Sequence, residues 1–145
     1  MTFETKSPTE TEALAAKFAS TLHAGAVLAY FGGLGAGKTA FTRGLARGLN
    51  VSGEVSSPTF ALVHEYPGNP SLIHFDMYRV SSLDDLYTTG YFDYLDGDNI
   101  LAIEWSENIE EALPEDAIRI RFEVTDEKSR RIIIEGGPAF EYSGH

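Results

Sequence analysis

Apolar residues recur along this chain with two periods. Leu14, Phe18 and Leu22 lie four apart, the spacing of one helix face. Ser7-Pro8-Thr9 precedes them, so the pattern predicts a helix capped by Thr9, with Glu10 and Glu12 in its first turn and Gly25 as its stop. Residues 26–31 form an unbroken apolar run with the length of a buried strand. Phe41, Leu45 and Leu49 then mark a second helix. Residues 60–66 and 72–78 read as strands around Pro67-Gly68-Asn69-Pro70, which predicts an antiparallel hairpin. Ser82 can cap a short helix carrying Leu83, Leu86 and Tyr87. Ile100 to Ile103 read as a buried strand closed by Glu104, and 108–113 as a short helix ended by Pro114. Residues 117–124 and 130–135 alternate and flank a polar turn, the mark of a second hairpin.

This order predicts an α/β fold, a three-layer sandwich with a central mixed parallel and antiparallel sheet. At 145 residues, 43% of them hydrophobic, the chain has material for one domain. That domain is expected over 1–137, with 138–145 as a Gly- and Pro-containing tail that frays. There is no cysteine, which excludes disulfides, thiolate catalysis and Cys-ligated zinc. No apolar run is long enough to span a membrane, and 1–6 lack the order of a signal peptide, so a cytoplasmic location is expected.

Charge is unevenly spread. The formal net charge is −11, and between Arg79 and Arg119 there is no Lys or Arg, although 11 of the 22 acids fall there. Such a surface repels a phosphate backbone and argues against direct, tight binding of nucleic acid. Docking on a basic protein surface and a merely solvated acidic face both remain open for it.

The candidate chemistry begins at Gly32-Gly33-Leu34-Gly35-Ala36-Gly37-Lys38-Thr39, which satisfies G-x-x-x-x-G-K-[ST] between a predicted strand and a predicted helix. The expected fold is therefore P-loop NTPase-like. Glycines allow positive φ, so backbone N–H groups can turn inward around an anion at the mouth of the helix. Gly32, Leu34, Gly35, Ala36, Gly37, Lys38 and Thr39 are the candidate ATP-binding residues. Lys38 is expected on the β- and γ-phosphates, and Thr39 on Mg²⁺. A second acid at the end of a neighbouring strand is also needed, and both Glu104 and Asp76 are placed for it. In a strand, His74, Asp76 and Tyr78 would project on one face. No third ligand at zinc spacing accompanies His64 and His74, so these read as solvated or hydrogen-bonded histidines.

Four landmarks in order extend the match: G-x-L-G-A-G-K-T at 32–39, S-P-T-F at 57–60, H-F-D-M-Y-R at 74–79 and I-E-W-S at 103–106. With these the chain resembles the TsaE (also YjeE) family from about Thr11 to about Ile134. The resemblance implies a P-loop ATPase of bacterial threonylcarbamoyl-adenosine tRNA modification, slow alone and stimulated by the TsaB–TsaD pair, with tRNA reached only through that pair. It implies Glu104 as a Mg²⁺ acid, Asp76 as support for the metal or the attacking water, and Thr59 as a γ-phosphate contact in a switch-like loop. Asp76, Glu104 and Thr59 are thus the catalytic candidates, and Thr39 and Glu104 the metal candidates. Trp105 is implied beside the nucleotide as a wall or a partner contact, and one of Arg130 and Arg131 as the approach of the last hairpin to the base. The rival reading is a small-molecule kinase using the same loop, against which the arginine-free middle argues, since such kinases usually carry a basic lid. A GTPase is disfavoured because N-K-x-D is absent.

Overall fold

The computed structural model describes residues 1–33, 35–53, 63–138 and 140–142. Leu34 and Thr59 therefore lie outside the described residues. One sheet of seven strands runs in the order β1-β7-β6-β2-β5-β4-β3. Its strands are β1 (Thr2–Thr5), β2 (Val27–Phe31), β3 (Val63–Tyr66), β4 (Leu72–Asp76), β5 (Ile100–Glu104), β6 (Ile118–Val124) and β7 (Arg130–Glu135). The central four, β6, β2, β5 and β4, are parallel. β3 and β7 join them antiparallel, and β1 closes the far edge antiparallel to β7. This is the mixed α/β sheet that the pattern predicts, and both predicted hairpins form.

Helices α1 (Pro8–Ala19) and α2 (Lys38–Leu49) cover one face, and α3 (Leu83–Thr88), α4 (Tyr91–Leu95) and the 3₁₀ segment Ser106–Ala112 cover the other. Strand residues alternate between the two cores. Leu28, Tyr30, Leu72 and Ala102 join α1 and α2, while Val27, Ile73, Phe75 and Ile103 join the opposite layer. β5, between β2 and β4, is buried throughout, which is why 100–103 reads as a continuous apolar run.

Several local expectations shift. Ser7, not Thr9, caps α1: its hydroxyl accepts the Glu10 N–H at 3.1 Å, and Pro8 occupies the first turn, where a missing N–H does no harm. The helix ends at Ala19, and Gly25 instead makes the turn into β2 with φ +94°. The strand at 72–78 stops at Asp76, whose Oδ1 accepts the Tyr78 N–H at 2.9 Å and turns the chain. Tyr78 therefore does not share a strand face with His74 and Asp76, and it lies exposed with its ring 4.9 Å from that of Trp105. β1 and α4 had no counterpart in the sequence reading. Within the expected tail, the Phe140 ring packs at 5.3 Å edge-on to Phe18 and at 5.5 Å from Phe3.

Two glycines inside α2 have a packing reason. A Cβ on Gly44 would strike the Glu12 carbonyl and come 2.8 Å from the Ala15 Cβ; one on Gly48 would come 2.7 Å from the Ala19 Cβ. Their bare backbone lets α2 lie directly on α1, and this contact holds the start of α2 in place behind the glycine loop.

Candidate functional site

The central strand β2 runs into the glycine loop, and α2 leaves it, so the loop sits at the C-terminal edge of the parallel strands. Ligand crevices of open α/β sheets lie at this edge. Gly32, Gly35 and Gly37 take φ of +141°, +72° and +105°, conformations open to glycine and strained for other residues. At Gly32 a Cβ would also lie 2.7 Å from the Phe122 carbonyl oxygen.

The base of α2 is fastened from below. Thr42 Oγ1 donates to the Lys38 carbonyl at 2.9 Å, so the Tyr30 hydroxyl donates to Thr42 Oγ1, also at 2.9 Å. Burial pushes the Tyr30 phenol well above its ordinary range, which keeps it a neutral donor. Removing the Thr42 hydroxyl would leave the buried Tyr30 phenol without this partner beside the loop.

Lys38 is 6% exposed and already engaged. Its ammonium donates to the Gly32 carbonyl at 2.9 Å, lies 3.8 Å from Glu104 Oε1 and sits 5.3 Å from the centre of the Trp105 ring. Trp105 holds a left-handed backbone with φ +60°, unusual for a bulky residue. Such strain persists where surrounding structure enforces it, and here it accompanies an indole laid beside the lysine.

Glu104 ends β5 and is buried. Its second oxygen, Oε2, accepts from His74 Nε2 at 2.7 Å. Asp76 pairs with Glu104 in the β4–β5 register, so both acids stand at one sheet edge. Asp76 is half-buried, spends Oδ1 on the Tyr78 N–H and does not line the cavity beside the loop.

That cavity measures about 530 Å³, within the range of small-molecule sites. Gly35, Gly37, Lys38, Thr39 and Glu104 form its loop side. Ser7, Pro8 and Thr11 of the α1 start, Ala40 and Arg43 of α2, and Glu127, Lys128 and Arg130 of the β6–β7 hairpin form the rest. Strand alternation sends the two arginines to opposite faces, and Arg130 is the one that lines the cavity. Arg130 Nη2 donates to the Gly35 carbonyl at 2.9 Å, whereas Arg131 points to the other face and pairs with Glu4 at 3.1 Å and Glu123 at 3.5 Å.

Sequence reasoning thus placed Gly32, Gly35, Ala36, Gly37, Lys38, Thr39 and Glu104 in one neighbourhood. It missed the α1 start as a wall and His74 as the partner of Glu104. The H-x-D alternation in 74–76 carried a signal for the second, since residues two apart share a strand face.

A nucleotide with Mg²⁺ fits these groups. The positive-φ glycines make a backbone cradle, and the Thr39 hydroxyl and Glu104 carboxylate are the hard oxygen donors such an ion takes. Among the described residues no three His, Cys, Asp or Glu side chains converge on a point. A magnesium ion bound by few protein groups completes its shell with phosphate oxygens and water.

Comparison with known proteins gives the chain's family. The family model for "Threonylcarbamoyl adenosine biosynthesis protein TsaE" matches residues 5–132. The tRNA threonylcarbamoyladenosine biosynthesis protein TsaE of Treponema pallidum is 39% identical over 113 residues, covering 78% of this chain and 84% of that protein. The protein of the same name from Bacillus subtilis is 38% identical over 131 residues, 90% of this chain and 82% of its own length. Among solved structures, that of YdiB from Bacillus subtilis superposes with a TM-score of 0.75 at 34% identity, covering 91% of this chain and 82% of that one.

Proposed function

Since the chain belongs to the TsaE family of threonylcarbamoyl adenosine biosynthesis proteins, we propose that it is a Mg²⁺-dependent ATPase serving tRNA modification. The modification is formation of the threonylcarbamoyl group on the adenosine beside the anticodon of tRNAs that read codons beginning with A. The single observation that carries the reading is the stand-off of Lys38 and Glu104, 3.8 Å apart across the mouth of the glycine loop and beside the cavity. A cation for phosphates and an acid for metal and water are the two charges that phosphoryl transfer needs in one place.

The chain's own groups divide the work. Loop N–H groups and the α2 N-terminus hold the phosphates, and Lys38 exchanges the Gly32 carbonyl for phosphate oxygens. Thr39 and Glu104 would hold Mg²⁺, which when bound neutralises charge on the phosphates. Asp76, in register with Glu104, supports that metal or orients the attacking water. Thr59 belongs to the same proposal as a contact of the γ-phosphate. Ser7, Pro8, Thr11 and the β6–β7 turn offer a wall for the base.

TsaB and TsaD are the proposed partners, with tRNA reached through them. The basic-free stretch between Arg79 and Arg119 supports this, because its charge disfavours direct contact with a phosphate backbone. No helix among the described residues is long and apolar enough to cross a membrane.

The test is release of ADP and phosphate in Mg²⁺, with and without the purified TsaB–TsaD pair. A slow rate that rises with the pair is expected. ADP appearing without free phosphate, its phosphoryl group lodged on a metabolite, would replace this reading with a kinase.

A further inference from the structure

His74 is completely buried on β4, yet it is not a packing residue. A leucine would fill a core position without leaving a polar nitrogen behind. Here Nδ1 has no hydrogen-bond partner among the described residues, a state that buried polar groups rarely adopt. Among the described residues the one bond the ring makes is from Nε2 to Glu104 Oε2, at 2.7 Å. A carboxylate only accepts, so the proton of that bond belongs to Nε2. In the neutral ring Nδ1 then carries only a lone pair, a smaller loss in burial than a stranded N–H.

We propose that His74 is a positioning residue: its Nε2–H pins one oxygen of Glu104 and so directs the other, Oε1, to the loop. This rests on the ATPase reading above and names what aims its acid. The geometry gives the reason the pin is needed. Oε1 already lies 3.8 Å from the Lys38 ammonium, in a buried site where opposite charges attract strongly. Released from His74, the carboxylate would swing closer to the ammonium and tighten the ion pair that stands at 3.8 Å. Lysine and acid would then be spent on each other, leaving neither for phosphate and metal. The bond spans two neighbouring parallel strands, where His74 stands opposite Ala102 and Asp76 opposite Glu104. The ring thus reaches diagonally along one sheet face, from a rigid strand rather than a loop. Partners of this kind, one step removed from a metal, change metal affinity or activity by roughly 10- to 100-fold when removed.

Two measurements test it. In the unmodified protein, nitrogen NMR of the histidine side chains should show His74 as the Nε2–H tautomer, with Nδ1 bare. An Nδ1–H tautomer overturns the proposal. Second, ADP binding is measured by calorimetry with and without Mg²⁺ in the parent, His74→Leu and His74→Gln. The leucine variant should lose about tenfold of the Mg²⁺ dependence, and its metal-free ADP affinity should fall as well, since Glu104 then holds Lys38. Glutamine, which places an N–H at similar reach, should restore most of it. If the leucine variant does not fold, the glutamine variant decides: parent-like Mg²⁺ dependence supports the role, and a tenfold loss overturns it. An unaltered Mg²⁺ response in a folded His74→Leu removes the role of His74 alone, whereas a parent that binds no ADP removes the ATPase reading beneath it.

Discussion

Arg130 donates a hydrogen bond of 2.9 Å to the carbonyl of Gly35, a residue 95 positions earlier. Its other terminal nitrogen, Nη1, donates to the carbonyls of Ser129 and Asp126 in its own turn, at 2.8 and 3.0 Å. One guanidinium therefore ties the last hairpin to the glycine loop. Arg131, next in sequence, faces Glu4 and Glu123 at the exposed surface. Arg130→Ala should weaken ATP binding about tenfold, the value of one hydrogen bond from a charged donor near 1.5 kcal/mol. Arg131→Ala should leave it unchanged, since exposed ion pairs contribute little. Calorimetric titration of both variants checks this, and equal losses would reject the assignment.

The pair at the loop mouth should separate binding from turnover. Lys38→Ala removes the cation nearest the candidate phosphate site and should weaken ATP binding by about 3 kcal/mol, more than a hundredfold. Glu104→Ala should spare ATP binding and lower turnover at least about a hundredfold. Both effects are read by calorimetry alongside phosphate release. Equal ATPase rates in Glu104→Ala and the parent would remove its catalytic role.

Gly44→Ala tests how the helix behind the loop is seated. The added methyl would strike the Glu12 carbonyl and crowd the Ala15 Cβ at 2.8 Å. The expected destabilisation is about 1–3 kcal/mol, the range for overpacking a close contact. Thermal unfolding should show it as a Tm lowered by several degrees. A rise in Tm, as alanine usually brings to an open helix position, would mean that α1 and α2 can part without penalty.

Acid should loosen the turn that carries Arg130. The Asp126 carboxylate accepts the backbone N–H of Ser129 at 2.9 Å and of Lys128 at 3.0 Å, and these bonds hold it below its ordinary value of 3.8. A depressed acid contributes its stabilisation above the unfolded value and loses it as pH falls through the folded one. Carbon NMR of Asp126 should thus titrate below the ordinary aspartate range, and the Lys128 and Ser129 amide shifts should move with the same midpoint. A midpoint at or above 3.8 would contradict the turn geometry.

Much of this protein is written locally. The four-residue spacing of Phe41, Leu45 and Leu49, the unbroken run at 26–31 and the glycines of 32–37 each act through neighbours a few positions away. Strand, loop, helix and the acid closing β5 were legible for that reason, as was the mixed sheet to which both hairpins belong. What remained hidden depends on chain segments meeting from afar. β1 has no pattern of its own strength and forms only because β7 offers an edge. His74 and Glu104 are 30 residues apart, and Arg130 and Gly35 are 95 apart. Hydrogen bonds of this length along the chain leave no periodicity, because a partner is chosen by strand order and register. Residue types and short spacings determined that a G-x-x-x-x-G-K-[ST] loop joins a strand to a helix here, with Glu104 and Asp76 as its candidate acids. Only the packed sheet decided which histidine aims Glu104 and which arginine closes the loop, since both depend on which strands lie side by side.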